Sequence, residues 1–267
     1  MKILIIGGGN MGITYARAFI NSKVIAPDQL MILEKSLREK MEDLSKLQLA
    51  KITDQPDCIR ESDLIIIAVK PQDIKGLFDE VKPYIAPSQV VLSIMAGVTI
   101  ERIKGGLGVS KIIRAMPNLP AQIGSGTTVF TTTDEVTRLQ QGTVQNLLAT
   151  TGKTLLVEEE RMVDAATAIS GSGPAYVYYF MDAMIQAAKK LGFETAQAQL
   201  LVSQTFSGAL QLFGQNALSC EEWIKKVASK GGTTEAALEV FVQSKLANHI
   251  ADGAWAAYRR AEVLREN

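Results

Sequence analysis

The chain begins Met1-Lys2-Ile3-Leu4-Ile5-Ile6-Gly7-Gly8-Gly9-Asn10-Met11-Gly12, and this stretch decides the fold. The apolar run Ile3–Ile6 predicts a buried strand. A glycine turn follows at once, then an apolar helix over Met11–Asn21. This is G-x-G-x-x-G with a strand before it and a helix after it, the setting that gives the motif meaning. Gly7 permits a tight turn, Gly9 lets a pyrophosphate approach the backbone, and Gly12 lets the helix pack on the strand. The N–H groups of a helix start, here around Asn10 and Met11, favour an anion, as does the helix dipole.

Working outward, further short apolar runs read as strands: Leu30–Leu33, Leu64–Val69, Val90–Ile94, Lys111–Arg114, Val129–Thr131 and Leu155–Val157. Continuous apolar runs suit strands buried on both faces of a mostly parallel sheet. Helical patterns fall between most of them, at Leu37–Leu47, Ile74–Val81 and Asp134–Thr150. Alternating β and α elements predict an α/β, doubly wound Rossmann domain over residues 1–157. All eight prolines lie at or before Pro174. From residue 158 to 267 the pattern is helical: Glu158–Ile169, Pro174–Leu191, Thr195–Asn216, Cys220–Val227 and Thr233–Arg265. Gly192 is placed as a helix C-cap.

The composition narrows the function. There are 28 basic and 28 acidic residues, one His and two Cys in 267 residues. A neutral chain argues against broad electrostatic binding of nucleic acid or an anionic membrane. One His and two distant Cys argue against a protein-only zinc site, so no metal is expected. No apolar run approaches the roughly 20 residues of a membrane span. With no signal-peptide pattern at the start, a cytoplasmic location is expected. His249 reads as a packing or surface residue, since nothing in the sequence supplies a catalytic partner.

The second strand ends in Leu33-Glu34-Lys35-Ser36. A carboxylate here suits the ribose hydroxyls of NAD, whereas a basic residue with a hydroxyl suits the 2′-phosphate of NADP. Glu34 points one way and Lys35 with Ser36 the other, so both cofactors stay open. Later strand ends carry Val69-Lys70-Pro71, Met95-Ala96-Gly97 and Met116-Pro117-Asn118, at the sheet edge where ligands bind in this architecture. Ser170-Gly171-Ser172-Gly173-Pro174-Ala175-Tyr176 is a small-residue turn opening a helix. So is Ser229-Lys230-Gly231-Gly232-Thr233-Thr234-Glu235, where exposed N–H groups would hold a carboxylate. Thr233 or Thr234 as a plain helix cap is the alternative.

Together these segments resemble the pyrroline-5-carboxylate reductase family along essentially the whole chain. The resemblance implies a Rossmann domain plus an all-helical dimerisation and substrate-binding domain, with dimers that commonly assemble into decamers. It implies NAD(P)H-dependent hydride transfer to the imine carbon of 1-pyrroline-5-carboxylate, C5 of the proline ring, as the last step of proline biosynthesis. The substrate carboxylate would sit on Gly231, Gly232, Thr233 and Thr234, with Ser229 nearby and Thr234 close to the ring nitrogen as the catalytic contact. Gln55 falls where the family often has an Asn beside the adenosine ribose. Lys230 replaces a usual Pro, and Glu34-Lys35-Ser36 replaces a usual Asn-Arg-Ser. Another cyclic imine as substrate and a non-catalytic dinucleotide-binding homologue remain alternatives. A β-hydroxyacid-type dehydrogenase fits less well, because the helix after Gly173 has no Lys before Lys189.

Overall fold

The computed structural model describes residues 1–36 and 51–266. The helix expected at Leu37–Leu47 lies outside the described residues. An eight-stranded sheet runs in the order β3-β2-β1-β4-β5-β6-β7-β8. Its strands are β1 Ile3–Ile6, β2 Leu30–Leu33, β3 Lys51–Thr53, β4 Leu64–Ile67, β5 Val90–Ser93, β6 Ile112–Met116, β7 Gly126–Thr132 and β8 Gly152–Leu156. All neighbouring strands are parallel except β6 and β7, which are antiparallel. β1 lies between β2 and β4, pairing Ile5 with Ile32 on one side and Ile66 on the other. The strand order reverses there, so the C-terminal ends of β1 and β4 flank a crevice.

The apolar runs are buried on both faces, as a parallel sheet requires. Alternate residues go to opposite sides. Ile3, Ile5, Leu30, Ile32, Leu64 and Ile66 share one core with Tyr15 and Phe19 of α1 (Asn10–Asn21) and Leu147 and Leu148 of α4 (Arg138–Ala149). Leu4, Ile6, Met31, Leu33, Ile65 and Ile67 share the other core. There they meet Leu77, Phe78 and Val81 of α2 (Ile74–Val81) and Ile103 and Leu107 of α3 (Ile100–Leu107).

Two elements escape the sequence patterns. β3 is only three residues long and only partly buried, so it shows neither an apolar run nor alternation. Helix α3 contains Gly105 and Gly106, which are unfavourable inside a helix. A Cβ at Gly106 would lie 2.1 Å from a Phe78 ring carbon, so the glycine makes room for that ring. Thr99 caps α3, its hydroxyl accepting the Arg102 N–H at 3.0 Å.

Backbone packing divides the chain into two compact units, Met1–Ser172 with Ala257–Asn267, and Gly173–Ala256. The first unit contains α5 (Arg161–Ala166), followed by a π-helical turn over Thr167–Gly171. A buried charge cluster lies in it. The Arg114 guanidinium on β6, 1% exposed, pairs with Asp164 and, at 2.8 Å, with Glu160; Arg265 stands 3.6 Å from Asp164. The second unit holds α6 (Gly173–Lys190), α7 (Thr195–Gln215), α8 (Cys220–Val227), α9 (Thr233–Gln243) and the start of α10 (Leu246–Glu266). The single helix expected over Thr233–Arg265 is therefore two. Lys245 takes φ 53°, in the left-handed region, and ends α9 without a glycine or proline to announce it. Gly192 does end α6, with φ 103°.

Candidate active site

The glycine turn is built by two close approaches and one open position. Gly7 takes φ 105°, and a Cβ there would lie 2.9 Å from the Ala68 carbonyl oxygen at the end of β4. A Cβ at Gly12 would lie 2.1 Å from the Gly7 carbonyl oxygen, so α1 can seat against the turn only with glycine. Gly9 is the N-cap of α1, and no side chain caps that helix. A Cβ at Gly9 would meet nothing within 4 Å, which leaves open space at the first-turn N–H groups.

Beside the turn is a cleft of about 630 Å³. Of the expected cofactor residues, Gly7, Gly9, Glu34, Lys35, Ser36, Val69 and Lys70 line it. Glu34 is buried at the end of β2. Its Oε2 accepts the Gly8 N–H at 2.7 Å and its Oε1 accepts the Ser36 N–H at 3.0 Å. The carboxylate thus ties the phosphate turn to the end of β2. The Lys35 ammonium forms an ion pair with Glu80 of α2. Asp73 and Glu80 also line the cleft and were not among the expected residues. Asp73 lies two residues after Pro71, so position alone would have found it; Glu80 has no local signal.

The remaining expected cofactor residues lie apart from the lining. Met11 and Gly12 are in the first turn of α1, and Asn10 borders a different hollow, of about 820 Å³, with Arg17 and Gln122. Gln55 is exposed and its Nε2 donates to Asp54 at 2.8 Å. Pro71 opens the short turn after Lys70. Ala96 and Gly97 follow β5, and a Cβ at Gly97 would lie 2.8 Å from that of Leu264. The Asn118 amide is engaged at both ends: Nδ2 donates to the Ser170 carbonyl at 3.1 Å, and Oδ1 accepts the Thr127 N–H at 2.9 Å.

The expected carboxylate turn opens α9 in the second unit. Gly231 takes φ 70°. Gly232 is the N-cap, and a Cβ there would lie 2.6 Å from the Ser229 hydroxyl. Again no side chain caps the helix. Thr233 and Thr234 are helical residues of the first turn, so neither is the cap. Glu235 accepts the Gly231 N–H at 2.6 Å. By contrast, α4, α7 and α8 start with capping boxes on Thr137, Glu194 and Ser219. Backbone N–H groups are thus left to a glycine N-cap at both expected anion sites.

Other reactive groups stand outside this machinery. Burial pushes the Cys58 thiol above its ordinary value, which disfavours the thiolate. His249 lies exposed on α10. Among the described residues no group of His, Cys, Asp and Glu could hold a metal ion, and no helix is long and apolar enough to cross a membrane.

A Rossmann sheet with an N-terminal glycine turn, joined to a helical unit with a second such turn, defines an oxidoreductase of the dinucleotide-dependent class. Comparison with known proteins is specific. Residues 160–264 match the family model described as pyrroline-5-carboxylate reductase dimerisation, and residues 2–97 match one described as NADP oxidoreductase, coenzyme F420-dependent. Pyrroline-5-carboxylate reductase 2 of Bacillus subtilis is 34% identical over 99% of this chain and 95% of its own. The structure of a pyrroline-5-carboxylate reductase from Coxiella burnetii superposes with a TM-score of 0.90, at 30% identity and 98% coverage of both chains. That of Plasmodium falciparum pyrroline carboxylate reductase with NADP bound gives 0.88, at 26% identity over 99% of this chain and 98% of that one. The chain belongs to the pyrroline-5-carboxylate reductase family.

Proposed function

We propose that this chain reduces 1-pyrroline-5-carboxylate to L-proline with NADH or NADPH, the last step of proline biosynthesis. What carries this reading is the pair of glycine N-caps, Gly9 and Gly232, at the two expected anion sites. The open space at Gly9 fits a pyrophosphate on the α1 N–H groups. Glu34, Lys35 and Ser36 would face the adenosine ribose, with Gln55 nearby. Val69, Lys70, Pro71, Ala96, Gly97 and Asn118 would border the rest of the dinucleotide.

When bound, the reduced dinucleotide supplies a hydride to the imine carbon, and the C=N π pair comes to rest on nitrogen, which carries one proton from solution. The chain's own task is positioning. The N–H groups of Thr233 and Thr234 would hold the substrate carboxylate, with Gly231 and Gly232 shaping the turn while their N–H groups go to Glu235 and to the Ser229 carbonyl, and with the Ser229 side chain beside it. Fixing the carboxylate limits the orientations open to the substrate, which hydride transfer at roughly 3–3.5 Å requires. The Thr234 hydroxyl would hydrogen-bond the ring nitrogen and steady it as it becomes an amine.

The proposal extends to assembly: a dinucleotide-binding domain over residues 1–157, a dimerisation and substrate domain over 158–267, homodimers that build a decamer, and a cytoplasmic location. Absorbance at the reduced-nicotinamide band, followed with 1-pyrroline-5-carboxylate and either cofactor, tests the activity. Substrate-dependent loss is expected; none with either cofactor, from folded protein, overturns it. Light scattering measures the assembly.

A further inference from the structure

We infer that Glu160 and Arg265 are positioning residues for the dinucleotide: they hold the Ala96–Gly97 loop against which its nicotinamide half would rest. The inference rests on the dinucleotide-binding reading above. The strand order sets which half that is. β2 lies on one side of β1, and β4 and then β5 lie on the other. A dinucleotide spans the crevice with its pyrophosphate at the turn after β1. Adenosine over the end of β2 therefore leaves the nicotinamide toward the end of β5, where Ala96 and Gly97 follow.

That loop is fixed from behind at two points. Gly97 takes φ 72°, and a Cβ there would lie 2.8 Å from that of Leu264, so the last turn of α10 lies directly against its backbone. Three residues on, Ile100 opens α3 with an N–H that has no partner within the helix. That N–H donates to Glu160 Oε1 at 2.9 Å. The same oxygen accepts the Arg114 guanidinium at 2.8 Å. Arg114 is buried and also pairs with Asp164, whose other oxygen lies 3.6 Å from Arg265. Arg265 directly follows Leu264 in α10. The two holds are thus one network. Arg265 seats the turn of α10 that presses on Gly97, and Glu160 ties down the far end of the same loop. Both act through the loop, as a supporting layer behind a binding surface does.

Equilibrium titration of the full chain with NADH and with NADPH, read by nucleotide fluorescence, measures the whole nucleotide. Calorimetry with ADP and with 2′-phosphorylated ADP measures the half held at the glycine turn. Glu160→Ala should weaken the better-bound whole nucleotide about tenfold and leave its ADP half within about twofold. Glu160→Gln keeps an oxygen for the Ile100 N–H and should recover most of that affinity. Arg265→Ala alters a partly exposed side chain and should give the same pattern at about threefold, so the inference stays testable even if Glu160→Ala fails to fold. A role in stability alone would lower the melting temperature and leave the folded protein's affinities unchanged, and that result overturns the inference. So does an equal loss of affinity for the whole nucleotide and for its ADP half, or a Glu160→Gln variant as weak as Glu160→Ala. Binding of neither whole nucleotide by the unmodified chain overturns the dinucleotide reading itself, and this inference with it.

Discussion

In the sheet unit, Ile3, Leu4, Ile5, Ile65, Ile66 and Ile67 are wholly enclosed, whereas in the helical unit Tyr179, Leu200, Leu210, Val242 and Trp255 are each at least 60% exposed. Among the described residues, the only buried apolar side chains of Gly173–Ala256 are Ala198 and Val202. The sheet unit satisfies its own apolar surface. The helical unit, taken in one chain, cannot: an exposed apolar area of this extent marks a surface made to be covered. Its match to a dimerisation model supplies the natural cover, a second copy.

This contrast can be broken in the sheet unit first. Arg114→Leu would leave the buried Asp164 carboxylate to the longer contact with Arg265 and should cost about 3 kcal/mol of stability. Because the cluster lies within one chain, urea denaturation should show the same loss at high and low protein concentration. A loss that varies with concentration would mean that the sheet unit also leans on assembly.

Leu210→Glu tests the other side. It keeps a good helix former on α7 but puts a charge on the apolar surface, and should weaken assembly by about 2–4 kcal/mol, as loss of a strong interface contact does. Light scattering should then report smaller particles. Unchanged particle size would remove Leu210 from the proposed interface.

The helical unit also carries the proposed carboxylate turn. Thr234→Ala should lower kcat/KM about tenfold, equivalent to ~1.4 kcal/mol of transition-state stabilisation. Steady-state kinetics equal to those of the unmodified chain would exclude Thr234 from the reaction. The smallest effects come from a matched pair, Thr137→Ala in the sheet unit and Ser219→Ala in the helical unit. Each removes a helix cap worth about 1 kcal/mol. Only the second should make the melting temperature more dependent on protein concentration; equal behaviour would blur the distinction between the units.

Much of the fold was legible because the central strands are short, continuous and apolar, so their burial is written in their composition. The β1–turn–α1 unit was legible because its glycine spacing is local, with Gly12 seated directly against Gly7. What stayed hidden depends on distant partners. Gly106 looks like a helix breaker until Phe78 is seen against it. Lys245 breaks a helix with a residue type that carries no such signal. At the site, the glycine motifs were visible, but the partners of Glu34 and Lys35 were not. They include Gly8, 26 residues before Glu34, and Glu80, which lies in a separate helix. Asn118 was likewise visible as a residue type, while its bonds to Ser170 and Thr127 join segments that the sequence keeps apart.

The route of the chain has a consequence for its synthesis. The residues from Ala257 onward belong to the sheet unit, where Leu264 covers Gly97 and Arg265 faces Asp164. A ribosome delivers the N-terminal segment first, and domains tend to fold in that order. Here the earlier unit must wait for the last helix before its packing is complete, and the whole helical unit emerges in between. The nascent sheet therefore spends the translation of Gly173–Ala256 with one wall missing, and a stop codon that removes only the final turns would wound the front of the protein more than its back.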